Sequence, residues 1–196
     1  GARIFSNQYR GMYVQGNGSS YDAYFGGIGG INTNGIVDRS ASSRSLVVNL
    51  GQTAIQPGDL VAMVGVAPSP EGIESMLAVA KVDAENRNAV IGVAAESMSV
   101  ATRILEDESE QIDFTPAIGA SEPNGYLVII TDGLAPAVNL NSLAVATGWQ
   151  IGDKVALSTS GELARSTGEI DGPAIGKVAG SFDEAAGTVP LFVDID

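Results

Sequence analysis

Eight short apolar runs, each bounded by Gly, Pro, Asn or Asp, constrain this chain more than any other feature. They are Ser45–Leu50, Asp59–Val66, Met76–Val82, Ala89–Ala95, Tyr126–Thr131, Lys154–Thr159, Ala174–Gly180 and Thr188–Ile195. Runs of about five to eight residues enriched in β-branched side chains fit strands and are too short for ordinary helices. Turn residues separate them: Gln56-Pro57-Gly58-Asp59, Glu122-Pro123-Asn124-Gly125, Thr131-Asp132-Gly133 and Ser160-Gly161. An Asp-Gly step between two apolar runs predicts a hairpin at Asp132-Gly133. Only 140–149 reads as a short helix, with Asn141 or Ser142 as its cap and Gly148 near its end.

The runs also repeat in order. Ile55-Gln56-Pro57-Gly58-Asp59-Leu60-Val61-Ala62-Met63 resembles Trp149-Gln150-Ile151-Gly152-Asp153-Lys154-Val155-Ala156-Leu157. Further on, Ile91-Gly92-Val93-Ala94-Ala95-Glu96-Ser97 resembles Ile175-Gly176-Lys177-Val178-Ala179-Gly180-Ser181. The expected fold is therefore all-β, a barrel or sandwich of short strands. It is built from two pseudo-repeated units, about 46–125 and 126–196, within a β domain spanning 46–196.

Residues 1–45 differ in kind. They hold Tyr9, Tyr13, Tyr21 and Tyr24, four of the five tyrosines, together with Phe5 and Phe25 and many glycines. Such a stretch has too few aliphatic side chains to bury itself as a globule, and too many aromatics for a plain linker. An extended Gly/Tyr-rich arm that packs on another surface fits both facts. Phe5, Tyr9, Tyr13, Tyr21, Tyr24 and Phe25 are its candidate assembly residues.

The composition narrows the chemistry. With no Cys and no His, disulfides, thiolate nucleophiles, iron–sulfur clusters and the usual zinc sites are excluded. A Ser–His–Asp triad cannot be assembled, and the commonest general base near neutral pH is missing. The net charge of −13 repels phosphate backbones and anionic lipid, so nucleic acid is not an expected partner. No apolar run approaches the ~20 residues of a membrane-spanning helix, and the N-terminus does not read as a signal peptide. Membrane insertion is accordingly not expected.

Several further features invite chemical readings. Glu106, Asp107, Glu108, Glu110 and Asp113 have the oxygen density of a Ca²⁺ site but lack the EF-hand pattern, so a solvated loop is the first reading and Ca²⁺ the alternative. Asp83/Glu85 and Asp183/Glu184 allow the same two readings. Paired carboxylates can hydrolyse glycosides, yet Trp149 is the lone indole and no aromatic sugar platform exists beyond the arm. Gly16-Asn17-Gly18 begins like a dinucleotide fingerprint but lacks the third glycine, and Gly26–Gly30 contains no Lys to serve a phosphate loop. The three lysines, Lys81, Lys154 and Lys177, read as surface or edge residues that discourage unwanted strand pairing.

Pro57-Gly58-Asp59-Leu60-Val61, Ala174-Ile175-Gly176-Lys177-Val178 and the closing Val189-Pro190-Leu191-Phe192-Val193 resemble a β-rich C-terminal module of bacterial and phage fibre-like surface proteins. Tyr21-Asp22-Ala23-Tyr24-Phe25-Gly26-Gly27 is similar to the stalk segments upstream of such modules. Phage head-decoration proteins show a related pattern. The resemblance implies a structural assembly protein, often trimeric, and carries no catalytic residue with it. The expectation is thus a non-catalytic subunit, extracellular or on a virion, that self-assembles with copies of itself into a filament or fibre. Its arm would pack on a neighbour, in the manner of strand exchange. The alternative is a capsid-decoration or adhesion protein forming a closed trimer on a capsid or host surface.

Overall fold

The computed structural model describes residues 3–7, 10–15, 42–70, 75–104, 110–140, 148–166 and 172–195. The chain divides into Gly1–Val37 and Asp38–Asp196. In the smaller part, β1 (Arg3–Asn7) and β2 (Arg10–Gln15) pair antiparallel, with Phe5 opposite Tyr13. These two strands fall within the expected arm, most of which lies outside the described residues. The division falls at 37/38 rather than 45/46, because Ser42–Asn49 forms a full strand of the larger part.

That larger part is all-β. Its strands are β3 (Ser42–Asn49), β4 (Leu60–Pro68), β5 (Ser75–Lys81), β6 (Val90–Ile104) and β7 (Glu110–Ala117), then β8 (Tyr126–Asn139), β9 (Lys154–Leu157), β10 (Leu163–Arg165), β11 (Ala174–Val178) and β12 (Thr188–Asp194). They lie in the order β10-β9-β11-β12-β8-β3-β5-β4-β6-β7, and a further β8–β6 pairing closes β3, β5, β4, β6 and β8 into a five-stranded barrel. The closing β3–β5 pair is parallel, with Val48 beside Ala78. β7 extends the array beyond β6, and β12, β11, β9 and β10 extend it beyond β8.

The sequence repeat is a repeat of geometry. Each Gly-Asp turn has its glycine at φ +91°, in Gly58 and in Gly152, a conformation that costs glycine little. In each turn the aspartate Oδ2 accepts the amide N–H at the turn's start, Gln56 for Asp59 at 2.9 Å and Gln150 for Asp153 at 2.8 Å. Each turn glycine donates its N–H to the matching strand, Gly58 to the Ala94 carbonyl and Gly152 to the Val178 carbonyl. Val61 lies opposite Lys81 as Val155 lies opposite Arg165, and Leu60 faces Val93 as Lys154 faces Lys177. The carboxylates finish alike: Asp59 pairs with Lys81 at 2.9 Å and Asp153 with Arg165 at 3.0 Å.

The cores correspond position by position. Val47, Ile55, Val61, Val79, Ala94, Leu127 and Ile129 fill the barrel. Their counterparts by register are Val138, Val155, Leu163, Val178, Val189 and Leu191, which belong to the second core, and Trp149, which packs partly buried against it. That second core is larger because it also takes in Leu60, Ala62, Val90, Val93 and Ile130 from the outside of the barrel.

Two sequence expectations are corrected. Asp132-Gly133 is no hairpin: β8 runs through it for 14 residues, and Gly133 at φ +92° bends the strand. The two apolar runs flanking it do not pair with each other. The first pairs with β3 and β6, and the second with β12. The boundary between the repeats therefore lies inside β8, not at 125/126. Glu110 and Asp113, read as part of a solvated acidic loop, lie instead on β7 (Glu110–Ala117), paired with β6 from Ser97↔Ala117 to Ile104↔Glu110. Alternation of Ile112 and Phe114 with Asp113 and Thr115 was the strand signal, hidden beneath the local charge. Of the expected 140–149 helix, positions 141–147 lie outside the described residues.

Candidate assembly surface

Two buried polar groups of the larger part, Asp59 and Asn49, are committed to holding turns. Asp59 is 4% exposed, and besides Gln56 and Lys81 it accepts an Asn139 Nδ2 hydrogen bond at 3.0 Å. Buried Asn49 donates to the carbonyls of Thr53 and Ser121 at 3.0 and 2.9 Å. Such side chains substitute for missing backbone partners, and desolvation makes their loss costly.

The acidic pairs prove to be turn-formers. Asp83 Oδ1 accepts the amide N–H groups of Glu85 and Asn86, and Asp183 Oδ1 accepts those of Ala185 and Ala186. These are Asx turns, repeated in the two halves. Of the candidate Ca²⁺ cluster, Glu106, Asp107 and Glu108 lie outside the described residues. Glu110 and Asp113 are three positions apart on β7, an odd spacing that does not bring two strand positions to one face. Among the described residues no group of three acidic side chains could hold a metal ion. Of the arm candidates, Phe5 and Tyr13 occupy facing positions on β1 and β2, whereas Tyr9, Tyr21, Tyr24 and Phe25 lie outside the described residues.

A shallow groove of about 290 Å³ runs between Pro57-Gly58, the 93–96 segment of β6 and the 135–137 segment of β8. Its charged groups, Arg44 and Glu96, face each other at 3.5 Å, and both are more than a third exposed. Among the described residues, Glu96 is the one carboxylate in the groove's lining.

The distinctive surface is apolar. Beyond Ala62 the β4–β5 hairpin leaves the barrel, and it exposes Met63, Val64 and Val66 on β4 and Leu77 on β5, with Val66 at 68%. Met63 and Val64 are adjacent at a register shift of the β4–β5 ladder and both are exposed, whereas Ala78 and Val79 beside them on β5 are buried. The β6–β7 hairpin exposes Val100 and Ile104. Near its base Phe114 and Tyr126 meet edge to face at 5.4 Å. Contiguous exposed apolar side chains of this kind mark contact surfaces. β7 and β10 end the strand order, each with one edge unpaired among the described strands.

A third exposed surface is one that sequence reasoning missed. Lys154, Lys177, Phe192 and Leu134 form one row across β9, β11, β12 and β8, all exposed. By register they correspond to Leu60, Val93, Ile130 and Arg44 of the first repeat. Lys154 and Lys177 are on strands paired at both sides, so they are not edge guards, and Lys81 serves Asp59 instead. Aligning the two repeats would have flagged the row, since Leu60 is replaced by Lys154 and Val93 by Lys177. Among the described residues no helix is long and apolar enough to cross a membrane. No family model, curated protein or solved structure matches the chain.

Proposed function

We propose that this chain is a non-catalytic structural subunit that assembles with copies of itself into an extracellular or virion filament. The carrying observation is the β4–β5 hairpin, which leaves the barrel with Met63, Val64, Val66 and Leu77 exposed on a strongly acidic chain. Burying one such side chain in a contact is worth roughly 1.5–3 kcal/mol, so a few together can offset the entropy of ordering a joint. The committed state of Asp59, Asp83, Asp153 and Asp183 supports the same reading, because each carboxylate is engaged in a turn. The N-terminal residues, with Phe5, Tyr9, Tyr13, Tyr21, Tyr24 and Phe25, supply the second joint by packing on a neighbouring subunit. An assembly that grows without limit needs two distinct contacts per subunit, whereas one closed contact gives a discrete particle. The decoration or adhesion alternative corresponds to the closed case.

Sedimentation velocity of the full chain over a wide concentration range, with electron microscopy of the same samples, tests this function. Concentration-dependent growth and open filaments are expected. Discrete particles would favour the decoration reading, and a compact monomer at the highest concentration would overturn both.

A further inference from the structure

The outer face of the second repeat carries an arrangement with no partner among the described residues. Lys154 lies directly opposite Lys177, and two positions along the neighbouring strands Asp194 lies directly opposite Asp132. All four are exposed, and none forms an ion pair with another described residue. Like charges facing each other across a ladder are unfavourable, and here they occur twice on one face, once in each sign. Between them stands Phe192, 48% exposed, which shares a row with the lysines and a strand with Asp194. Leu134 flanks it at 37%.

From this we infer that the face binds the same face of a second copy across a two-fold axis. The inference rests on the assembly reading and adds a joint to the two named there. A two-fold contact presents each patch to its own image, so a patch is self-complementary when its positive half can meet the negative half of the image. Here the axis lies in the plane of contact, between the lysine pair and the aspartate pair. It sets Lys154 and Lys177 of one copy against Asp132 and Asp194 of the other. Phe192, at the corner where row and strand cross, falls on that axis and stacks on its counterpart, an aromatic centre with a charged rim. Each repulsive pair of the free subunit is thereby placed opposite its counter-charges. The intramolecular precedent is the corresponding face of the first repeat, where Leu60, Val93 and Ile130 are covered by the second core.

Charge exchange in the full chain tests the joint. Lys154→Glu/Lys177→Glu makes the face wholly acidic, and Asp132→Lys/Asp194→Lys makes it wholly basic. All four positions are exposed, so both variants should unfold at the wild-type urea midpoint, and Phe192→Ser provides a third variant without a charge change. Sedimentation should show each variant losing one association step, with affinity at that step reduced at least about a hundredfold. An equimolar mixture of the two charge variants should recover that step, a rescue that misfolding would not produce. Variants that associate like the wild type would overturn the face while leaving self-assembly in place. Variants that dissociate without rescue on mixing would overturn the two-fold arrangement. A wild-type chain that stays monomeric would overturn the assembly reading and this joint with it.

Discussion

The two repeats share a plan and differ in how each completes its core. The first closes five strands around Val47, Ile55, Val61, Val79, Ala94, Leu127 and Ile129, with β3 sealing the gap beside β5. In the second, β10 pairs only with β9 among the described strands, and the core fills out against Leu60, Ala62, Val90, Val93 and Ile130 on the outside of the barrel. One repeat is thus the wall of the other. A duplicated β unit need not bury its apolar surface symmetrically: Leu60 and Val93 lie in the shared core, whereas Lys154 and Lys177 at the equivalent positions are exposed.

The most damaging test of this contrast is Leu60→Lys, which gives the first repeat the residue of the second. Leu60 is 8% exposed within the shared core, so the charge would be buried without a partner at a cost of about 4 kcal/mol. Urea unfolding should register the loss. A change under about 1 kcal/mol would mean that the barrel's outer face is not a wall of the second core.

The glycines offer a second test. A Cβ at Gly92 would collide with the Ile130 carbonyl, and one at Gly176 with the Phe192 carbonyl, again equivalent positions. Only Gly176 adds a φ of +147°, outside the range that L residues readily adopt. Gly176→Ala should cost about 3 kcal/mol or more, and more than Gly92→Ala in paired denaturation curves. Equal costs would sharpen the equivalence, by assigning the whole effect to the carbonyl clash.

The turn aspartates should give the smallest difference. Asp59 has 4% side-chain exposure and Asp153 has 16%, with cationic partners 38% and 47% exposed. Asp59→Ala should therefore cost about 2 kcal/mol and Asp153→Ala about 1 kcal/mol. A reversed order in thermal or urea unfolding would show that burial of the carboxylate does not set the cost of losing it.

Much of this was written into local pattern. The apolar runs located β3, β4, β5, β9, β11 and β12 and the first halves of β6 and β8 because alternation and turn residues act over a few positions. The repeated Gly-Asp turn was legible for the same reason, since a positive φ and an aspartate-to-amide bond are settled within four residues. β7 was missed because its charge was read in place of its alternation. The Asp132-Gly133 bend was read as a hairpin because the turn signal does not say whether the flanking runs pair with each other. The candidate contact surface was the least legible part: Met63, Val64 and Val66 look like core residues in sequence, and only the hairpin's departure from the barrel exposes them.

The sequence by itself determined an all-β chain, two copies of one turn-and-strand unit, and a side-chain inventory without imidazole or thiol. Tertiary structure decided which strands meet, which repeat closes and which faces stay exposed. The physical reason is range. Turn chemistry and side-chain alternation are fixed by neighbours along the chain, whereas burial is fixed by partners far apart in sequence. For that reason Leu60 is covered and Lys154, its equivalent, remains in water.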